Sequence, residues 1–351
     1  MTTTMIPTSH TPRVLKGVLR DAHVARLAAV LLLLLVFFAV VKWQNFSSIV
    51  TWQAMAVQFP EFGLLALGVM LTMVLGGIDL SVVGTANMTA IASAMLMLQI
   101  APAGSGSSAG FLALGAAVAF SLVLGAVAGA LNGFLVAKVR IPAILVTLGT
   151  FELFTGIGLV LSDGKPISGM PPEYAYVMGS RIAGYVPMVL VIFVIGAVLI
   201  WFLMNRTAFG TKLYMLGSNE TAATLSGLKR TSLIVRTYML SGLFAASAGL
   251  VMLANYNSAK ADYGTTYTLL AILIVVLGGI NPNGGTGRLA GIVLAVIVLQ
   301  VLSSLLNTFP DVSNFYRPLI WGGVLLLVIV VNQWDGRGNL SRMLRWRGRA
   351  S

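Results

Sequence analysis

The chain carries ten carboxylates and two histidines for acid–base chemistry, and no cysteine at all. His10 and His23 both precede the first long apolar run. A histidine-dependent triad or metal site further along is therefore excluded, and so are disulfides, iron–sulfur clusters and thiolate zinc. Only Glu61, Asp79 and Glu152 lie within or against apolar runs. Glu61 follows Pro60 near the end of one run, Asp79 sits in LGGIDLSVVG between two runs, and Glu152 lies in the middle of VTLGTFELFTG. No G-x-x-x-x-G-K-[ST] phosphate loop occurs: in DGKPIS, Pro166 follows Gly164 and Lys165, and no glycine lies five residues before Gly164. These residues predict no catalytic constellation, no metal site and no cofactor on this chain.

The elements that hold them must be membrane helices. Hydrophobic residues make up 58% and charged residues 9% of the chain, against about 25% charged in soluble domains. Such a surface cannot face water. Lipid requires every backbone polar group to be bonded internally, and continuous runs of about 20 apolar residues do this as helices rather than as a barrel. The reading is an all-α, polytopic bundle of about ten segments, near 27–41, 52–75, 80–98, 111–137, 142–161, 184–204, 233–254, 268–280, 289–307 and 315–331. The eighth is short for a span. The first lacks a small-residue cleavage site and reads as a retained anchor. With the N-terminus inside, 17 of the 22 basic residues fall on the cytoplasmic side, which predicts an N-in, C-in topology. The +12 net charge then reflects orientation, not nucleic-acid binding. The layout is a basic tail at 1–26, a transmembrane domain at 27–333 with a cytoplasmic loop at 205–232, and a basic tail at 334–351.

APAGSGSSAG, at 101–110, reads as a flexible outer connection, and 162–183 as a longer outer loop. GAVAGALNG, at 125–133, has the small-xxx-small spacing that lets helices approach closely. The strings LGGID and LGGIN recur 202 residues apart, a faint internal echo of the repeats common in transporters.

At LGGIDLSVVG the sequence resembles the permease family of ribose-type ABC importers, which move sugars and related polyols and include an autoinducer-2 importer. The family string GIDLSVG is matched by Gly77, Ile78, Asp79, Leu80, Ser81 and Val82, with Val83 intervening before Gly84. GALNGFLVAKVRIPAILVTLGT, LGSNETAATLSGLKR and the stretch at 257–291 resemble three further family signatures, in order, so the likeness spans roughly residues 27–333. One departure is YTLLAILIVV, where the family often has an acidic GYELDAIAA-like form.

The resemblance implies a permease subunit of an ATP-binding-cassette importer in the bacterial inner membrane. Its expected partners are an ABC ATPase, an external solute-binding protein and a second permease chain, identical or not. It implies that Ser218, Asn219, Glu220, Ala222, Ala223, Leu225, Ser226 and Gly227 dock the ATPase as a coupling helix. The residues themselves predict a short helix there, capped by Ser218 or Asn219 and stopped at Gly227; alone, they are equally an ordinary surface helix. Gly76, Gly77, Asp79, Ser81, Gly278, Gly279 and Asn281 form the motif or gate set, with Asp79 read chiefly as an N-cap near the inner interface. Glu152, Asn87 and Asn132 are substrate-pathway candidates; Glu152 contacts solute hydroxyls or packs as a bonded carboxyl between helices. Lys165, Arg181, Lys260, Asp262 and Arg317 are candidates for binding-protein docking, or simply solvated loop charges. The alternative function is an ion-coupled secondary carrier or facilitator of a small polar solute.

Overall fold

A computed structural model describes residues 22–102, 104–309, 316, 319–323 and 326. Its helices are α1 (Ala22–Val41), α2 (Trp43–Ser47), α3 (Ile49–Val74), α4 (Val82–Ile100), α5 (Ser107–Phe134), α6 (Ala143–Leu161) and α7 (Pro172–Met178). They continue with α8 (Met188–Arg206), α9 (Ala208–Ser218), α10 (Glu220–Leu225), α11 (Arg230–Tyr256), α12 (Tyr267–Leu277) and α13 (Leu289–Leu306). Among the described residues, eight helices are long and apolar enough to cross a membrane, and α12 is a shorter apolar helix. The predicted tenth segment, Arg317 and the C-terminal tail lie outside the described residues, apart from a few positions within 316–326.

Several boundaries move for local reasons. Residues 107–110 of the predicted flexible connection are the first turn of α5. The sixth segment starts at Met188 because Arg181–Ile182 and Val186–Pro187 pair as a hairpin, β2 and β3. The loop at 162–183, predicted to lie outside, is ordered. Its β1, Ile167–Ser168, pairs antiparallel with β4, Ser258–Ala259, and α7 lies on α11 through the Tyr174 hydroxyl, which donates to Leu250 O at 2.5 Å. This sheet places the two loops at one end of the bundle.

α3 and α11 are buried along most of their length and form the centre. α1, α5, α6 and α8 keep a wide apolar face outward, as lipid-facing helices must. The glycine spacing in GAVAGALNG brings α5 backbone-to-backbone against α11. A Cβ on Gly129 would lie 2.0 Å from the Tyr238 carbonyl oxygen, so no side chain fits there. α5 ends in a π-helical turn, Leu135–Val139, and Arg140 turns left-handed (φ 64°) into Pro142 and α6.

Candidate functional site

Away from the β1–β4 sheet, three loops interlock. The turn after α3, the loop after α12 and the α9–α10 joint meet there. Gly285 N–H donates to Val74 O at 2.9 Å. A Cβ on Gly217 would lie 2.0 Å from that same oxygen and 2.7 Å from Gly285 N, so the joint admits only glycine. The echo LGGID/LGGIN is partly real in three dimensions. Each helix stops on a left-handed glycine, Gly76 (φ 86°) and Gly279 (φ 88°). These are the first glycine of one string and the second of the other, so the copies are one residue out of step. Asp79 and Asn281 nevertheless form the same local turn. Each accepts the backbone N–H two residues on, from Ser81 and Asn283, both at 3.0 Å. Gly77 lies against the Tyr238 hydroxyl, and Gly278 lies against Ile292 of α13.

Asp79 differs from its expected role. It is buried. It does not cap the first turn of α4, which begins at Val82 behind Ser81. Its Oδ1 accepts the Ser81 hydroxyl at 2.6 Å as well as the Ser81 N–H. Its Oδ2 accepts the Ser241 hydroxyl of α11 at 2.7 Å. Asn132 Nδ2 of α5 donates to Ser81 Oγ at 2.7 Å, and the Thr147 hydroxyl of α6 lies 3.0 Å from Ile78 O. The turn thus ties α3 and α4 to α5, α6 and α11 through neutral donors. Sequence reasoning missed Ser241, which is 162 residues away and carries no local signal.

The docking loop folds as two helices, α9 and α10, rather than one. Ser218 ends α9, donating to Met215 O at 2.9 Å. Asn219 is the cap of α10, accepting Ala222 N–H at 2.9 Å. Glu220 lies in the first turn, and Gly227 follows the helix with φ 83°. Ala223 is buried, while Glu220, Ala222, Ser226 and Gly227 are exposed and Leu225 is 84% exposed. Arg230 Nε donates to Glu220 Oε1 at 2.5 Å. Its Nη1 donates to Ala137 O in the π-helical turn at 2.7 Å. α10 is thereby fixed at one side to α5 and, through Gly217, to the loop knot.

Glu152 marks the midpoint of the 19-residue α6 and is exposed on its outward face. It is not packed between helices of this chain. Gly149 and Gly156 flank it with open space where a side chain would stand. Asn87 is buried in α4, and its Nδ2 donates to Ala261 O and Tyr263 O, both at 2.8 Å. Asn132 joins the Asp79 turn. Neither asparagine is brought near Glu152's outward face.

At the sheet end, Lys260 Nζ donates to Asp262 Oδ2 at 2.8 Å, and that carboxylate raises the lysine above its ordinary range. Strand β1 brings the loop of exposed Lys165 to the same strand pair. Arg181 is separate, donating to Gln53 Oε1 of α3 at 3.1 Å.

A bundle of apolar spanning helices, closed at one end by an ordered loop knot with an exposed short helix, defines a multi-pass membrane permease. The chain belongs to the family described as the permease component of branched-chain amino acid transport systems, which matches residues 51–330. It is 35% identical over 278 residues to a ribose import permease protein of Bacillus subtilis, covering 77% of this chain and 81% of the relative. The ribose import permease protein of Escherichia coli K12 is 33% identical over 309 residues, 86% of this chain and 92% of the relative. An autoinducer 2 import system permease protein of Yersinia pestis is 32% identical over 294 residues, 84% of this chain and 79% of the relative. No solved structure matches the chain.

Proposed function

We propose that the chain is the membrane subunit of an ATP-driven importer for a sugar or sugar-like solute, working in a bacterial inner membrane. The observation that carries this reading is the capped, exposed α10, locked to the bundle by Glu220, Arg230 and Ala137. A partner that pushes on Leu225 pushes on the ends of α3, α5 and α12 together. The partner is an ABC ATPase, which supplies the hydrolysis chemistry that this chain lacks. The motif glycines, Asp79, Ser81 and Asn281 make the joint that transmits the push. Solute arrives on a binding protein that docks at the sheet end, on Lys165, Lys260 and Asp262, with Arg181 at its margin; Arg317, the remaining candidate, lies outside the described residues.

Glu152 points away from the bundle at mid-span. A charged side chain facing lipid there costs on the order of 3 kcal/mol. A second permease chain covers this face, with the solute path between the two. The same carboxylate is the one feature that favours the other reading, an ion-coupled carrier.

The test is purification from the native host in mild detergent. A P-loop ATPase should accompany the wild type and be lost on Leu225→Asp or Gly227→Asp, with the permease still folded. A chain that emerges alone yet transports without ATP refutes the proposal, and Glu152→Gln then decides for the carrier.

A further inference from the structure

Tyr238 of α11 is 1% exposed, and its hydroxyl is buried with no hydrogen-bond partner among the described residues. The Oδ1 of Asn132 is in the same position. Both groups adjoin the Asp79 turn. A Cβ on Gly77 would stand 2.7 Å from the Tyr238 hydroxyl, and Asn132 Nδ2 is bonded to Ser81 Oγ. Buried polar groups are nearly always bonded, so an orphan pair around one turn calls for an explanation.

The turn has acceptors to spare. Asp79 Oδ1 takes two donors from Ser81, but Oδ2 takes only the Ser241 hydroxyl. A carboxylate oxygen can accept two, so Oδ2 has one place left. Ser241 follows Tyr238 by three residues on α11, which puts both on one side of that helix. The phenol is thus a donor without an acceptor, on the helix side that already bonds Asp79. Asp79 Oδ2 and Asn132 Oδ1 are acceptors with room for it.

Space to move lies beside it. A cavity of about 240 Å³ borders Tyr238. Leu216, Glu220 and Arg230 line it from the docking element, and Gly76, Gly77 and Ala143 line it from the bundle. Close-packed interiors leave side chains no such freedom. Arg230 is the first residue of α11, about two turns before Tyr238, and it holds Glu220 of α10. Pressure on α10 therefore drives the start of α11 into the hollow and shifts Tyr238 against the turn.

We propose that Tyr238 is a positioning residue for the transport cycle: its hydroxyl stands bare while the hollow is open and donates into the Asp79 turn when α10 closes it. The inference rests on the importer reading, because an ATPase supplies the pressure.

Tyr238→Phe removes only the hydroxyl. It is measured in the assembled complex with its binding protein, with D-ribose, D-xylose, ribitol and L-rhamnose each tried as solute. Solute-stimulated hydrolysis should fall several-fold at unchanged KM for ATP. The thermal unfolding midpoint should hold or rise, because no bond of the open state is lost. A hydroxyl with a merely structural role would lower the midpoint instead. Unchanged stimulation, or a lower midpoint, overturns the inference. The hollow is tested separately by Ala143→Cys, the only thiol on this chain. Methyl methanethiosulfonate should modify it several-fold more slowly when a non-hydrolysable ATP analogue is bound to the complex, and equal rates overturn the closure. The two failures are distinct. A stimulated wild type with an equally stimulated variant sinks only the role of Tyr238, whereas a wild type that no solute stimulates sinks the importer reading and this inference with it.

Discussion

Asp79 holds its turn through hydroxyl and amide donors alone, so each donor counts. Ser241→Ala removes the Oδ2 partner and leaves a buried carboxylate oxygen bare. The expected loss is about 1–3 kcal/mol, seen as a lower thermal unfolding midpoint in detergent. Asp79→Asn should destabilise further, because its amide nitrogen cannot accept the Ser241 hydroxyl. Asp79→Asn with an unchanged midpoint would show that the network carries no stability. At this scale the sequence was half legible. An aspartate between two apolar runs announces a break, and Asn219 and Gly227 announce a capped helix, because caps and stops act within a few residues. Ser241 and Ala137 contribute through distance and orientation alone, which no local pattern encodes.

The helices meet where side chains vanish. Gly129 lets α5 touch α11 at Tyr238, and Gly129→Val should prevent that approach. The expected outcome is loss of folded protein on size exclusion, whereas Gly115→Val, at an open position, should be tolerated. The docking element makes a different prediction. Arg230→Gln should sever Glu220, and with it α10, from the π-helical turn without changing the exposed face of α10. ATPase should still co-purify while solute-stimulated hydrolysis falls. Loss of association instead would mean that Arg230 shapes the docking surface itself. Small-residue spacing and hydropathy made the spans and the α5 contact readable. The split of the docking loop into α9 and α10 was not readable, because it depends on Gly217 fitting against Val74 O.

For the whole molecule, charge asymmetry predicts the orientation, and the fold supplies two opposite landmarks. The β1–β4 sheet gathers the loops assigned outside, and the glycine knot gathers those assigned inside. In the cysteine-free chain, Lys165→Cys should react with an impermeant thiol reagent from outside intact cells and Leu225→Cys only after lysis. The reverse pattern would invert the topology. The short eighth segment was legible as an anomaly. Its cause was not, since α12 stops at Gly278 and Gly279 because the following loop must reach Val74 and Ser218. The central claim is that ATP drives this permease through α10. The most direct measurement is solute uptake into proteoliposomes holding the assembled complex and its binding protein. The account predicts uptake only with hydrolysable ATP on the α10 side, abolished by Leu225→Asp. Uptake by this chain alone, following an ion gradient and indifferent to ATP, would contradict it.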